Sequence, residues 1–271
     1  MKKIGIVGFG TMGEAIVRGL RAKDPLISAA IVDKSVERRQ RAREMESVTD
    51  LTDSPEKLRD FSELIVLSVK PQDLDSVVES IGHVLAGNRI VSILAGTRID
   101  TLLTHLPGCS FIRFMPNLAA SLGKAAVGLA APPETDPQFL ADARTIAEAI
   151  GTPFELPEQL LSAFTGLSGS GIAYLFQFVH AMALGGTRAG IPYEQSLQIT
   201  CKMVEGASAL LASGQAGAVA LPSHPQQLLS KVISPAGTTI DGIRALEHGG
   251  FTASVMDAVV AASRRADRLE K

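Results

Sequence analysis

Two halves of different construction are predicted: an α/β half, doubly wound around a parallel sheet, and an all-α half after it. Three observations predict this. Up to about residue 150, short apolar runs alternate with amphipathic helical patterns, as parallel strands and their crossover helices do. After Pro157 the alternation stops and only long helical patterns follow. Near the start, an apolar run turns through Gly8, Gly10 and Gly13 into the helical pattern Met12, Ile16, Val17, Leu20. That is the strand–turn–helix of a Rossmann-type dinucleotide-binding unit. A chain of 271 residues accommodates two such domains, divided as 1–156, dinucleotide-binding, and 157–271, helical.

In chain order, strands are expected at residues 4–7, 27–32, 64–68, 90–94 and 110–115, with a further candidate at 127–131. Helices are expected between them at 11–21, 36–46, 71–81 and 99–106, several opened by Ser, Asp or Pro. A helix over 136–150 is introduced by Asp136 and Pro137 and closed by Gly151, which puts the domain boundary at Pro153 to Pro157. The helical half reads as 170–189, 192–213, 225–232, 239–247 and 252–269. The segment from Pro192 carries Ala, Ser and Gly on one face, so it can approach other helices closely, within the chain or in a dimer.

Composition narrows the function. Apolar residues make up 46% while aromatics make up 4% and Trp is absent, so the core is built of Ala, Val, Ile and Leu. A net charge of -2 supplies no basic field for nucleic acid. Cys109 and Cys201 form no Cys-x-x-Cys pair, which argues against a disulfide framework or a zinc site and fits a cytoplasmic protein. His83, His105, His180, His224 and His248 are scattered without metal-ligand spacing, so no metal is expected. The most apolar stretch, 172–186, contains Gln177 and His180 and is shorter than the roughly 20 residues that cross a bilayer, so no membrane is expected either.

The chemistry is expected at the strand ends. Gly8 permits the tight turn, Gly10 lets backbone approach a pyrophosphate, and Gly13 lets helix pack on strand, with Thr11 and Met12 opening the helix against the anion. Asp33 stands where an acidic side chain accepts hydrogen bonds from an adenosine ribose and repels a 2′-phosphate. Lys34, Ser35, Arg38 and Arg39 follow, and would surround that phosphate if Asp33 turned away, so NADH and NADPH both stay open. Ser68, Lys70 and Pro71 close one strand and Ala95 and Gly96 follow another, at the edge where open α/β sheets bind ligands. Asn117, after Met115-Pro116, could offer its amide to nicotinamide or substrate. Gly166 to Gly171 lacks the spacing and the strand of a nucleophile elbow. Ser234-Pro235-Ala236-Gly237-Thr238-Thr239 leads into a helix, and its N–H groups and hydroxyls read either as a nest for a small carboxylate or as a simple N-cap.

Together these strings resemble the pyrroline-5-carboxylate reductase family over nearly the whole chain. The likeness rests on the glycine start, Val69-Lys70-Pro71-Gln72, Ala95-Gly96, Arg113-Phe114-Met115-Pro116-Asn117, Gly169-Ser170-Gly171, and above all Ser234-Pro235-Ala236-Gly237-Thr238-Thr239. The resemblance implies hydride transfer from NADPH or NADH to a cyclic imine carboxylate, giving L-proline. Thr239 would be catalytic at the ring nitrogen, Gly237 and Thr238 would hold the carboxylate, and Ser234 and Asn117 would assist. It also implies a helical domain that interlocks with a second subunit, with dimers arranged into rings. Leu118-Ala119 and Ile172 depart from the family's usual Thr-Pro and Pro. Two other readings remain at this point: a β-hydroxyacid dehydrogenase-like enzyme using Lys202 or Lys231, and a non-catalytic dinucleotide-binding regulator.

Overall fold

The computed structural model describes residues 1–213 and 224–270. Its first part runs β1 (Lys3–Val7), α1 (Thr11–Lys23), β2 (Ser28–Val32), α2 (Val36–Arg43), β3 (Val48–Asp50), α3 (Lys57–Phe61), β4 (Leu64–Leu67), α4 (Leu74–Leu85), β5 (Arg89–Ser92), α5 (Ile99–His105), β6 (Ser110–Pro116), β7 (Ala125–Ala130), α6 (Pro137–Ile150) and β8 (Gly151–Glu155). The strands form one sheet in the order β3-β2-β1-β4-β5-β6-β7-β8.

Strand alternation explains the double winding. Ile4, Ile6, Leu64, Val66 and Val91 point into one apolar cluster with Ile16 and Leu20 of α1 and Ile146 of α6. Their neighbours Val7, Ile65, Leu67 and Ile90 point into another, with Leu85 of α4 and Leu102 of α5. Each fully buried Ile or Leu contributes about 1.5–3 kcal/mol, so a sheet covered on both faces carries a large core.

Four expectations are corrected. The sheet is not wholly parallel: β7 runs antiparallel to β6, and β8 parallel to β7. The boundary expected at Pro153 to Pro157 falls on β8, where Pro153 is tolerated because an edge strand can spare an N–H. β3 and α3 were not expected, being three and five residues long and largely polar. Between Lys70 and α4 the first turn is a 3-10 turn, Pro71–Asp73.

After β8 the chain makes a 3-10 turn (Glu158–Leu160), α7 (Leu161–Phe164) and a π-helical turn (Thr165–Gly169), then α8 (Gly171–Arg188), α9 (Tyr193–Ala212), α10 (Pro225–Val232), α11 (Thr238–His248) and α12 (Phe251–Leu269). Two compact units result: Met1–Ser170 with Val259–Lys271, and Gly171–Ala258. These differ from the expected 1–156 and 157–271 because α7 packs Leu161 and Phe164 against Met115 and Ala130, and because the second half of α12 returns to the sheet unit.

Within the helical unit, α8 and α9 form a hairpin. Gly190 takes φ +102° at the turn, and Ile191 N–H donates to Gly186 O at 3.0 Å, closing the end of α8. A Cβ on Gly186 would stand 2.5 Å from Ser196 Oγ, so glycine is what permits this approach. The helical run Glu158–Arg188 is, by length and composition alone, long and apolar enough to cross a membrane.

Candidate active site

At the C-terminal edge of the sheet, each loop glycine has a distinct reason. Gly8 has φ +93°, and a Cβ there would lie 2.5 Å from Ser68 O; the loop is pinned by Gly8 N–H to Val32 O (2.9 Å) and Ser68 N–H to Val7 O (2.8 Å). A Cβ on Gly13 would meet Gly8 O at 2.5 Å, so α1 sits directly on the loop. A Cβ on Gly10 would find nothing nearer than Arg38 Nη1 at 3.7 Å. Gly10 therefore faces open space, at the N-cap of α1, where the first-turn N–H groups of Thr11, Met12 and Gly13 have no helical partner. This is an anion cradle.

The cradle opens into a cleft of about 810 Å³ lined by Gly8, Gly10, Thr11, Met12, Asp33, Lys34, Arg38, Ser68 and Lys70, among others. Eight of the expected cofactor contacts are thus brought together. The structure leaves Gly13, Pro71, Ala95 and Gly96 off this lining. Gly13 lies under the cradle, Pro71 opens the turn whose Gln72 and Asp73 line the cleft, and Gly96 packs against Leu269 O.

Asp33 takes the inward of the two orientations that the sequence leaves open, and it lines the cleft. Its carboxylate is buried and accepts from Phe9 N–H (2.6 Å) and Ser35 N–H (2.7 Å), with Arg38 Nη1 at 3.5 Å. These bonds make it a brace of the glycine loop instead of an acceptor held out to a ribose. The basic run behind it divides. Arg39 is bound to Asp50 and Asp53 at 2.8 and 2.6 Å, and Arg43 to Asp50 at 2.7 Å. Burial would raise the Asp50 pKa, but hydrogen bonds from Thr52 and Arg39 overcome it and hold the carboxyl at about 2. Lys34 pairs with Asp73 at 2.7 Å at the cleft's rim, while Arg38, 42% exposed, is the guanidinium beside Gly10.

Asn117 caps the turn Leu118–Leu122, accepting from Ala119 N–H at 3.1 Å, and donates from Nδ2 to Ser168 Oγ at 3.1 Å in the π-helical turn. Its amide holds that turn, a role the sequence did not suggest.

In the helical unit, Ser234 to Gly237 is a tight turn closed by Gly237 N–H to Ser234 O at 3.0 Å, with Pro235 and then Ala236 at φ +57°. Such a φ costs a non-glycine residue about 1 kcal/mol or more. The N-cap of α11 is Gly237, and no side chain caps the helix there. The N-cap reading of Thr239 is thereby overturned, since Thr239 is the second residue of the helix. So is the use of Gly237 N–H for a carboxylate, because the turn consumes it. The first-turn N–H groups of Thr238, Thr239 and Ile240 remain. Lys202 is tied to Glu205 at 2.9 Å on the surface.

A glycine-lined anion cradle at the C-terminal edge of a Rossmann sheet defines a dinucleotide-binding protein. The model of the family described as pyrroline-5-carboxylate reductase dimerisation matches residues 158–269, and that described as NADP oxidoreductase, coenzyme F420-dependent, matches residues 3–96. Pyrroline-5-carboxylate reductases of Synechocystis sp. and of Glycine max are 35% and 37% identical, over 99% and 98% of this chain and 98% and 95% of theirs. The solved pyrroline-5-carboxylate reductases of Coxiella burnetii and Streptococcus pyogenes match with TM-scores of 0.87 and 0.84, at 27% and 29% identity, covering 99% and 98% of this chain and 98% of each of theirs. The chain belongs to the pyrroline-5-carboxylate reductase family. It is an NAD(P)H-dependent imine reductase that reduces pyrroline-5-carboxylate to L-proline, and its helical half carries the family's dimerisation domain.

Proposed function

We propose that the start of α11 grips the substrate and that the glycine cradle holds the coenzyme, with NADPH preferred over NADH. The observation that carries the substrate assignment is the glycine N-cap of α11, which leaves the hydroxyls of Thr238 and Thr239 unspent on capping. The ring carboxylate is held by the N–H groups of Thr238 and Ile240, favoured there by the helix dipole. Ser234 assists from the preceding turn, whose strained Ala236 fixes the geometry. Thr239 hydrogen-bonds the ring nitrogen through its hydroxyl and stabilises the protonated imine, making C5 electrophilic.

Gly8, Gly10, Thr11, Met12, Ser68 and Lys70 would hold the coenzyme, whose reduced nicotinamide would supply the hydride for C5, the C=N π pair passing to the nitrogen, which keeps its proton as the secondary amine of proline. Orientation supplies most of the catalysis. The NADPH preference is supported by Asp33, which is turned inward, and by Arg38, which stands over Gly10 and can swing to a 2′-phosphate. The described cysteines are free thiols, Cys109 buried and Cys201 exposed, in keeping with a cytoplasmic enzyme. The apolar side chains exposed on α8, α9 and α12 are covered by a second copy of the chain instead of lipid, with dimers assembling into rings.

Thr239→Ala is expected to lower kcat about 10- to 100-fold, the loss of one transition-state hydrogen bond, with NADPH Kd unchanged by fluorescence titration. Thr239→Ser should recover most of that activity. An alanine variant of wild-type kcat would remove Thr239 from the reaction.

A further inference from the structure

Arg113 stands in β6 between Ile112 and Phe114, and its side chain is 1% exposed. A guanidinium so buried must be compensated. Its Nη1 donates to Glu158 Oε1 at 2.7 Å, and both Nη1 and Nη2 lie 3.2 Å from Glu270 Oε1. Arg98 completes the group, with Nη1 3.4 Å from Glu270 Oε2 and Nη2 4.0 Å from Glu158 Oε2. Two cations and two anions therefore interlock, and the carboxylates are only 15% and 11% exposed.

The cluster is tied to the loop after β5 in three ways. Arg113 is in register with Ser92, the last residue of β5. Glu158 Oε1 accepts from Ile99 N–H at 2.8 Å, so it caps α5, and Arg98 is the N-cap residue of that helix. Between Ser92 and Arg98, Gly96 takes φ +68°, and a Cβ there would stand 2.9 Å from Leu269 O. The last turn of α12 thus lies on the backbone of Gly96 while the next residue, Glu270, enters the cluster. About two to three turns earlier in the same helix, Val259 O and Ser263 N would stand 2.6 and 2.8 Å from a Cβ on Gly166, in the π-helical turn that Asn117 holds through Ser168. The second half of α12 is therefore seated at two glycines, one in the loop after β5 and one in the π-helical turn after α7.

We propose that Glu270, with Arg113, Arg98 and Glu158, is a positioning group for hydride transfer: it clasps the end of α12 onto the Ala95–Gly96 loop and so fixes the wall against which the nicotinamide ring lies. This rests on reading Ala95 and Gly96 as contacts of the coenzyme's nicotinamide half: Ile93 of the same loop lines the cleft, and Ala95 and Gly96 continue from it. Glu270 touches neither coenzyme nor substrate. It acts through Gly96, and the pyrophosphate cradle at Gly8 to Gly13 does not depend on it. Loosening the wall therefore costs ring alignment and leaves dinucleotide affinity intact, because misplacement of a reacting group is felt in the chemical step.

The test uses Glu270→Gln and, as a milder break that leaves both Arg113 pairs intact, Arg98→Gln, each in the full-length enzyme. With pyrroline-5-carboxylate as substrate, Glu270→Gln should lower kcat about tenfold and Arg98→Gln about threefold, while NADPH Kd changes less than about twofold. The primary isotope effect with NADPH deuterated at the transferred position should rise in the same order, because chemistry becomes more fully rate-limiting. A kcat per folded enzyme equal to wild type, or a kcat loss with an unchanged isotope effect and a matching fall in Tm, would overturn the positioning role and leave the cluster purely structural. A loss of NADPH affinity in Glu270→Gln as large as its loss of kcat would instead overturn the reading of this loop as a wall for the nicotinamide ring alone, so the two failures are separable.

Discussion

In the sheet unit, β1, β4 and β5 bury both faces, and residues such as Ile4, Ile65, Leu67 and Val91 are fully inaccessible. In the helical unit, among the described residues, only Ala183, Ser196 and Thr200 are buried, while Phe176, Ile199, Leu210 and Met256 are 56, 53, 61 and 63% exposed. Small and hydroxylated residues fill the α8–α9 contact and the large apolar ones point away from it, the reverse of an autonomous bundle. Apolar exposure on this scale marks an interface. The difference teaches that the first unit buries its own apolar surface, while the second, which carries the family's dimerisation domain, leaves its large apolar residues exposed.

The sharpest way to break this contrast is a charge on the exposed helical surface. Phe176→Asp should weaken self-association at least about 100-fold, or about 2.7 kcal/mol, measured by sedimentation equilibrium, and should make the helical transition depend on protein concentration. An unchanged association constant would mean that α8 is not covered by a second copy. Changes in the sheet unit should act locally and without such dependence. Arg38→Ala should raise KM for NADPH about tenfold, or about 1.4 kcal/mol, with KM for NADH within twofold; equal effects on both would show that Arg38 does not read the 2′-phosphate.

The smallest effect concerns Asp50, whose pKa falls from 3.8 to about 2 on folding. A carboxyl with a depressed folded value contributes stability above its unfolded pKa and loses it as pH falls toward the folded one. Asp50→Asn should therefore cost about 1–2 kcal/mol at pH 7 in urea unfolding, and the gap to wild type should close between pH 4 and 2. A gap constant across that range would dissociate the Asp50–Arg39–Arg43 group from acid stability.

What was legible in the sequence follows the range of the interaction. Gly8, Gly10 and Gly13 announce themselves because a turn, a close approach and a packing contact are all encoded within six residues. The long helices α9, α11 and α12 were readable from period alone to within a residue or two. Asp33 was located correctly but not oriented, since its direction is decided by Phe9 N–H, twenty-four positions earlier. The reversal at β7 left no mark, because a strand buried on both faces reads the same in either direction. Arg113 did leave a signal: a charge inside Phe111-Ile112-Arg113-Phe114 demands a partner. Which partner was unreadable, as Glu158 and Glu270 lie 45 and 157 positions away.

The sheet unit is discontinuous in sequence, being completed by residues after Ala258. During synthesis its final ion pairs therefore wait until the whole helical insertion has been made, a delay of roughly 4 to 18 s at ordinary elongation rates. Throughout that interval Arg113 has only part of its counter-charge. The nascent sheet is thus held short of its finished state until most of the family's dimerisation domain has emerged.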